Sequence, residues 1–200
     1  VLIFSQIFAL NLSAPFIAQF FKVQLEQILP YCDYVIGNES EAAAWASAAG
    51  LPNKDDIPAI AGSIATLPKS NPSRPRTVII TQGPESTVVV AATDPGKPKI
   101  FPVTRLEDGQ IVDTNGAGDA FAGGFLGALV SGKSVDEAVH AGHKLGGMCV
   151  QLVSTLMAHL PFFFGFLTGA AGWTAVPLAE GGRVVDTPSS RVDTLKHCLL

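Results

Sequence analysis

Charge is scarce in this sequence. Its 200 residues carry 13 Lys and Arg against 17 Asp and Glu, a charged fraction of 15 % and a formal net charge of −4. The basic residues are scattered and form no stripe, so no nucleic-acid partner is expected. Cysteine is sparser still. Cys32, Cys149 and Cys198 are odd in number, far apart and free of any CxxC spacing, which argues for reduced thiols and against a disulfide framework or a zinc site. The apolar start has no charged n-region and no small-residue cleavage pattern, so it does not read as a signal peptide. It also lacks an initiator Met and opens inside what reads as a strand, as a fragment would. One long stretch, Leu152 to Leu178, contains no Asp, Glu, Lys or Arg, which is long enough to raise a transmembrane helix. His159, Pro161, Gly165, Gly169, Gly172 and Pro177 interrupt it and no basic residue flanks it closely. A membrane span is therefore not expected.

What the chain does have is apolar residues, 48 % of the total, enough for one domain with a sizeable core. Up to about residue 150, β-prone runs alternate with helical periodicity. Val1–Asn11 reads as a strand. Ser13 reads as the N-cap of a helix with Pro15 in its first turn, running to Pro30. Asp33–Gly37 is a short buried strand that opens into Asn38-Glu39-Ser40-Glu41 and a helix closed by Gly50. A further helix starts at Asp55 or Asp56 and runs to Pro68, followed by a loop over residues 69–76. Thr77–Thr81 pairs as a hairpin with Thr87–Ala92, and Ile100–Val103 is a third β-prone run. Gln110–Val112 is a fourth. After it a helix runs from Ala120 to about Ser131, and another starts at the Ser134/Glu137 capping box and runs towards Gly146. Strands alternating with helices predict an α/β domain with a mostly parallel sheet.

The most informative stretch is Asp113-Thr114-Asn115-Gly116-Ala117-Gly118-Asp119-Ala120-Phe121. Two glycines two residues apart leave backbone N–H groups free to converge at a helix N-terminus, where unpaired donors and the helix dipole favour an anion. Asp119 places a carboxylate at the mouth of the same pocket. The plainer reading is a tight turn with an aspartate capping the helix. Asn38–Glu41, Thr81–Gly83 and Asn115–Asp119 each follow a β-prone run, so one cleft at the carboxyl ends of strands could collect all three. Two nearby motifs fail their context. Gly127–Ser134 matches the P-loop pattern GxxxxGK[ST], but its first glycine lies within an apolar helix rather than after a strand. Gly116-Ala117-Gly118 opens like GxGxxG, but Phe121 takes the third glycine's place. Glu137, His140 and His143 share a helix face, which as a metal site would need a distant fourth ligand.

Asp113–Asp119 resembles the DTxGAGD signature of the PfkB or ribokinase-like kinases, and Asn38-Glu39-Ser40-Glu41 is similar to their NxxE motif. Asn11–Ile17, Gly37–Ala43, Thr81-Gln82-Gly83 and Asn115 look like the adenosine-phosphorylating members of that family. The resemblance spans roughly residues 8 to 151. It implies a ribokinase-like three-layer α/β/α sandwich, incomplete at its N-terminus. It also implies ATP- and Mg²⁺-dependent phosphorylation of the 5′-hydroxyl of adenosine. Asp119 would take the acceptor proton, and the N–H groups of Gly116, Ala117, Gly118 and Asp119 would form the anion hole. Asn38 and Glu41 would organise Mg²⁺ and phosphate through water, with no direct protein ligand to the metal. Thr81, Gly83, Asn115 and His143 would lie around ATP, and Phe16 would stack near adenosine. A sugar kinase of the same family, or a non-catalytic nucleotide-binding fragment, stays open. The family's N-terminal half, with its lid strands, is expected to be missing, and residues 152–200 read as a tail foreign to the family, apolar and then poorly ordered. The resemblance further implies a monomer in the full-length form, located in the cytoplasm with the nucleus as a second compartment.

Overall fold

A computed structural model describes residues 6–152; the predictions for the apolar tail and the polar end lie outside the described residues. Among the described residues five strands form one sheet in the order β1-β2-β3-β4-β5. They are β1 (Ala9–Asn11), β2 (Tyr34–Asn38), β3 (Thr77–Thr81), β4 (Ser86–Ala91) and β5 (Lys99–Pro102). β1, β2 and β3 pair in parallel, with Ala9 opposite Tyr34 and Tyr34 opposite Thr77. β4 returns antiparallel through the predicted hairpin, and β5 is antiparallel to β4. β5 therefore runs with the first three, and β4 is the one reversed strand.

Alternation along the strands separates the two faces. Val35, Val78, Ile80, Val88 and Val90 face one cluster, and Ile36, Ile79 and Val89 face the other, as the two-residue period of a strand requires. The first face is covered by α1 (Pro15–Phe20), α2 (Lys22–Ile28), α3 (Glu39–Ala49) and α4 (Ile57–Ala65). The second is covered by α5 (Ala117–Val130) and α6 (Val135–Val150), which bring Phe121, Phe125, Ala138 and Val139 onto the sheet. Helices on both faces of one sheet make the ribokinase-like three-layer sandwich.

Local chemistry explains most helix ends. Asn38 caps α3 reciprocally with Glu41, and Gly50 closes it in the left-handed conformation at φ 72°. Asp56 caps α4 by accepting from the Ala59 N–H. Ser134 and Glu137 form the capping box of α6. Gly127 lies inside α5, Ser131 caps its C-terminus and Ser134 opens α6, so the P-loop pattern is a helix-turn-helix.

Three local predictions are corrected. Ser13 does not cap α1, because its N–H and hydroxyl are both taken up by Asn11 and its backbone is left-handed at φ 63°. The single helix predicted up to Pro30 is interrupted at Phe21 (φ −120°, ψ 29°), and each half buries its own residue, Ala18 and Leu25. Gln110–Val112 is not a strand. Asp108–Gln110 is one 3-10 turn, and the Val112 and Asp113 N–H groups donate to the Val150 carbonyl at the end of α6 rather than to a neighbouring strand.

Candidate active site

Three consecutive parallel strands end in a polar residue: Asn11 on β1, Asn38 on β2 and Thr81 on β3. Their carboxyl ends point the same way, which is where parallel α/β sheets collect ligands. The N-terminus of α5 closes the space above them. Together these elements enclose a cavity of about 150 Å³ whose polar lining includes Asn11, Asn38, Glu41, Thr81 and Asp119. Gly116 and Gly118 line it through their backbone. Gly116 is the N-cap of α5 at φ 76°, a conformation that a β-carbon disfavours. Asp119 is therefore the third residue of the helix rather than its cap, and its carboxylate is exposed and accepts no hydrogen bond among the described residues.

Glu41 faces it and is 5 % exposed. Its Oε2 accepts from the Asn38 N–H at 3.0 Å and its Oε1 from Asn38 Nδ2 at 3.0 Å. Asn38 Oδ1 in turn accepts from the Glu41 N–H and the Ser40 hydroxyl. Burial pushes the Glu41 carboxyl above its usual value; the Asn38 N–H opposes this, and the charges of Glu39 and Asp119 add to it. Gly37 lets this carboxylate lie against the sheet, since a β-carbon there would stand 3.0 Å from Glu41 Oε2 and 2.9 Å from Leu12 Cδ1. Two carboxylates thus share one small cavity beside a positive helix end, an arrangement suited to a phosphate and a hard cation.

The structure gathers some predicted residues and leaves others apart. Asn38, Glu41, Thr81, Gly116, Gly118 and Asp119 share the cavity. Ala117, Gly83, Asn115, His143 and Phe16 do not line it. The Ala117 N–H is turned back to the Thr114 carbonyl at 3.4 Å. Asn115 sits in a turn held by Asp113, with its carbonyl accepting from the Cys149 thiol. Gly83 lies in the β3–β4 turn at φ 53°. Phe16 is 54 % exposed on α1. His143 binds the Thr87 hydroxyl through Nε2 at 2.8 Å and tilts against Phe121, and burial, with a contribution from His140, lowers its pKa. With His143 so engaged and the Glu137 carboxylate held by Ser134, those two side chains serve α6 and its seat on the sheet. Sequence reasoning missed Asn11 and Ser13 as cavity residues. The signal was present: an apolar β-run ending in a single polar residue, as at Asn38 and Thr81.

Comparison with known proteins identifies the family. Residues 2–160 match the family described as pfkB family carbohydrate kinase. An adenosine kinase of Schizophyllum commune is 58 % identical over 149 residues, 74 % of this chain and 43 % of that protein. An adenosine kinase of Schizosaccharomyces pombe is 46 % identical over 150 residues, 75 % of this chain and 43 % of that protein. The crystal structure of Anopheles gambiae adenosine kinase in complex with P1,P4-di(adenosine-5) tetraphosphate superposes with a TM-score of 0.73 at 42 % identity, over 78 % of this chain and 45 % of that one. The chain spans less than half the length of each of these relatives. By its sequence match, its three-layer fold and the placement of its glycine turn, the chain belongs to the pfkB family of carbohydrate kinases.

Proposed function

We propose that this chain forms the nucleotide side of an enzyme that transfers the γ-phosphoryl group of ATP to the 5′-hydroxyl of adenosine. The observation that supports it is the placement of the Asp119 carboxylate and the first turn of α5 opposite Glu41, at the ends of three parallel strands. Relatives at 58 % and 46 % identity are adenosine kinases, which favours adenosine over a sugar as acceptor.

Phosphoryl transfer is chiefly positioning and stabilisation of charge on the transferred group. The N–H groups of Gly118 and Asp119, in the first helical turn, offer donors to that charge. Asp119 has both carboxylate oxygens uncommitted and accepts the acceptor's proton. Glu41 and Asp119 supply hard oxygen donors on one cavity, and the mutual repulsion of their charges is relieved by a cation, so the residues fit Mg²⁺. Mg²⁺ would neutralise phosphate charge there, with Asn38 holding the Glu41 carboxylate in place. Thr81 borders the same space; Gly83, Asn115 and His143 fall to the nucleotide and Phe16 to the nucleoside only as proposals.

A second reading has its own support. The cavity of about 150 Å³ is below the roughly 300–1,000 Å³ of a small-molecule pocket. It holds a phosphoryl group but not a nucleoside, so the chain alone would bind nucleotide without turnover. Calorimetric titration with MgATP, adenosine and ribose separates these readings. Binding of ATP and adenosine, with turnover that falls about 10²–10⁴-fold in Asp119→Asn while ATP binding survives, supports transfer. ATP binding alone supports the second reading, binding of neither defeats both, and preference for ribose moves the acceptor to sugars.

A further inference from the structure

The strand-end pattern includes a residue for which neither the glycine turn nor the Asn38–Glu41 pair accounts. Asn11 ends β1 opposite Ile36, and the Leu12 N–H continues the ladder by donating to the Ile36 carbonyl at 2.8 Å. The polypeptide then turns sharply through Ser13. Among the described residues Ser13 is the one non-glycine residue at positive φ, 63°. A residue with a β-carbon holds that conformation only where its surroundings impose it, and such positions gather at binding sites.

Asn11 imposes it. Its side-chain Oδ1 accepts from the Ser13 N–H at 3.1 Å, and its backbone carbonyl accepts from the Ser13 hydroxyl at 3.1 Å. The first of these bonds also settles how the amide lies. With Oδ1 committed to Ser13, Nδ2 faces the other way, and no group among the described residues accepts from it. Asn11 and Ser13 both line the cavity.

The other side-chain donors there already hold partners. Asn38 Nδ2 gives one of its two N–H groups to Glu41, the Thr81 hydroxyl donates to the Gly37 carbonyl at 3.3 Å, and the Ser13 hydroxyl donates to Asn11. Glu41 and Asp119 are acceptors when ionised. A cavity edged by two carboxylates holds a phosphate oxygen only if donors face it, and Asn11 Nδ2 is the side-chain amide there with both N–H groups unpartnered among the described residues.

We infer that Asn11 is a binding residue of this cavity, presenting its side-chain N–H groups to an oxygen of the bound phosphoryl group, with the Ser13 turn as the device that fixes its amide. The inference rests on the phosphotransfer reading above and adds a contact that reading does not contain.

Titration of the 200-residue chain and two variants with MgATP tests it. Asn11→Ala removes the donor, and a hydrogen bond to a charged oxygen is worth a loss of roughly tenfold or more in affinity. Asn11→Asp keeps the shape and the Ser13 contact but sets a carboxylate against the phosphate, so it binds more weakly still. Tighter binding by Asn11→Asp would mean that the position serves a metal ion, and overturns the inference. Unchanged affinity in both variants, with the unmodified chain binding ATP, overturns it and leaves the phosphotransfer reading intact. If the unmodified chain binds no ATP, that reading fails and the inference fails with it. Where the variants do not fold, the side-chain amide resonances of the unmodified chain decide. The Asn11 signal, assigned by selective labelling, is expected to move on addition of MgATP but not of adenosine; an unmoved signal at saturating MgATP overturns the inference.

Discussion

The two faces of the sheet are closed by different physical means. On the α1–α4 face a cation is buried with no carboxylate paired to it among the described residues. Arg76 is 0 % exposed and donates to the carbonyls of Leu29, Ile64, Leu67 and Pro68, with a longer contact to Ala65. It thereby satisfies the carbonyl ends of two helical segments, where the helix dipoles favour positive charge. Asp33, also buried, accepts from the Phe8 N–H, Lys69 and Arg74 and ties the start of the chain to the loop before β3. Among the described residues the α5–α6 face has no such buried ion. Its two helices approach closely through glycines: a β-carbon on Gly124 would stand 2.8 Å from the Ala141 carbonyl oxygen, and one on Gly142 would stand 2.7 Å from the Phe121 ring. Polar ties from this pair to the sheet include the Thr87–His143 hydrogen bond and the exposed Lys99–Asp136 pair. The lesson concerns the site. Asn11, Asn38, Glu41 and Thr81 stand on strand ends and a capped helix locked by the first face, whereas Asp119 rides on a helix pair held by close packing. The seating of that pair sets the width of the cavity.

The first face is most vulnerable at Arg76. Arg76→Met leaves several buried carbonyls without donors, at about 1–3 kcal/mol each where water cannot replace the bond. A loss of at least about 3 kcal/mol is expected, read as a shift of the denaturant midpoint. A loss under about 1 kcal/mol would show that water reaches those carbonyls and that the face is not locked as described.

Gly142→Ala strikes the other face. Its methyl meets the Phe121 ring and carbonyl, and overpacking of this kind costs about 1–3 kcal/mol. Hydrogen exchange is expected to quicken in α5 and α6 more than in β3. Equal quickening throughout would mean that both faces unfold as one unit.

Acid separates the faces further. His143 has its pKa lowered by burial below the ordinary 6.5. The unfolded chain therefore binds its proton first, and the stability that neutral His143 represents is present above 6.5 and lost as pH falls from there through its folded value. For Asp33, burial raises the pKa, but the hydrogen bonds from Lys69, Phe8 and Arg74 outweigh it and bring the value below 3.8. Its contribution is present above 3.8 and is lost only as pH falls below that. Protection of α6 is expected to weaken as pH falls below 6.5 and that of β2 only as it falls below 3.8. His143→Gln should remove the first step, and persistence of that step in the variant would defeat the assignment. Smallest of all is Lys99→Ala. The pair with Asp136 is exposed on both sides, and its loss is expected to cost no more than about 0.5 kcal/mol in a thermal melt.

Much of the fold was legible because its determinants are local. The capping boxes at Asn38/Glu41 and Ser134/Glu137, the Gly50 stop and the hairpin after Thr81 each lie within a few residues, and each formed where the residue pattern placed it. Gln110–Val112 misled because β-prone residues were read without their partners; the Gln110 N–H turns back to the Glu107 carbonyl, and the Val112 N–H goes to the Val150 carbonyl some forty residues on. Ser13 misled for a similar reason. Serine before proline suits an N-cap, but the Ser13 N–H and hydroxyl donate to Asn11 and its backbone turns left-handed instead.

What the sequence determined by itself was the alternation of strands and helices, the caps between them and the glycine turn that opens α5, since these depend on spacing along the chain. What the tertiary structure alone decided was that Gly83 and Asn115 stay outside the cavity that Glu41, Thr81 and Asp119 share, that His143 binds Thr87 instead, and that Asn11 joins the cavity from β1. The physical reason is distance along the chain. Asn11 and Asp119 are more than a hundred residues apart. Only the parallel pairing of β1 to β3 and the seating of α5 on the opposite face bring their side chains around one small space.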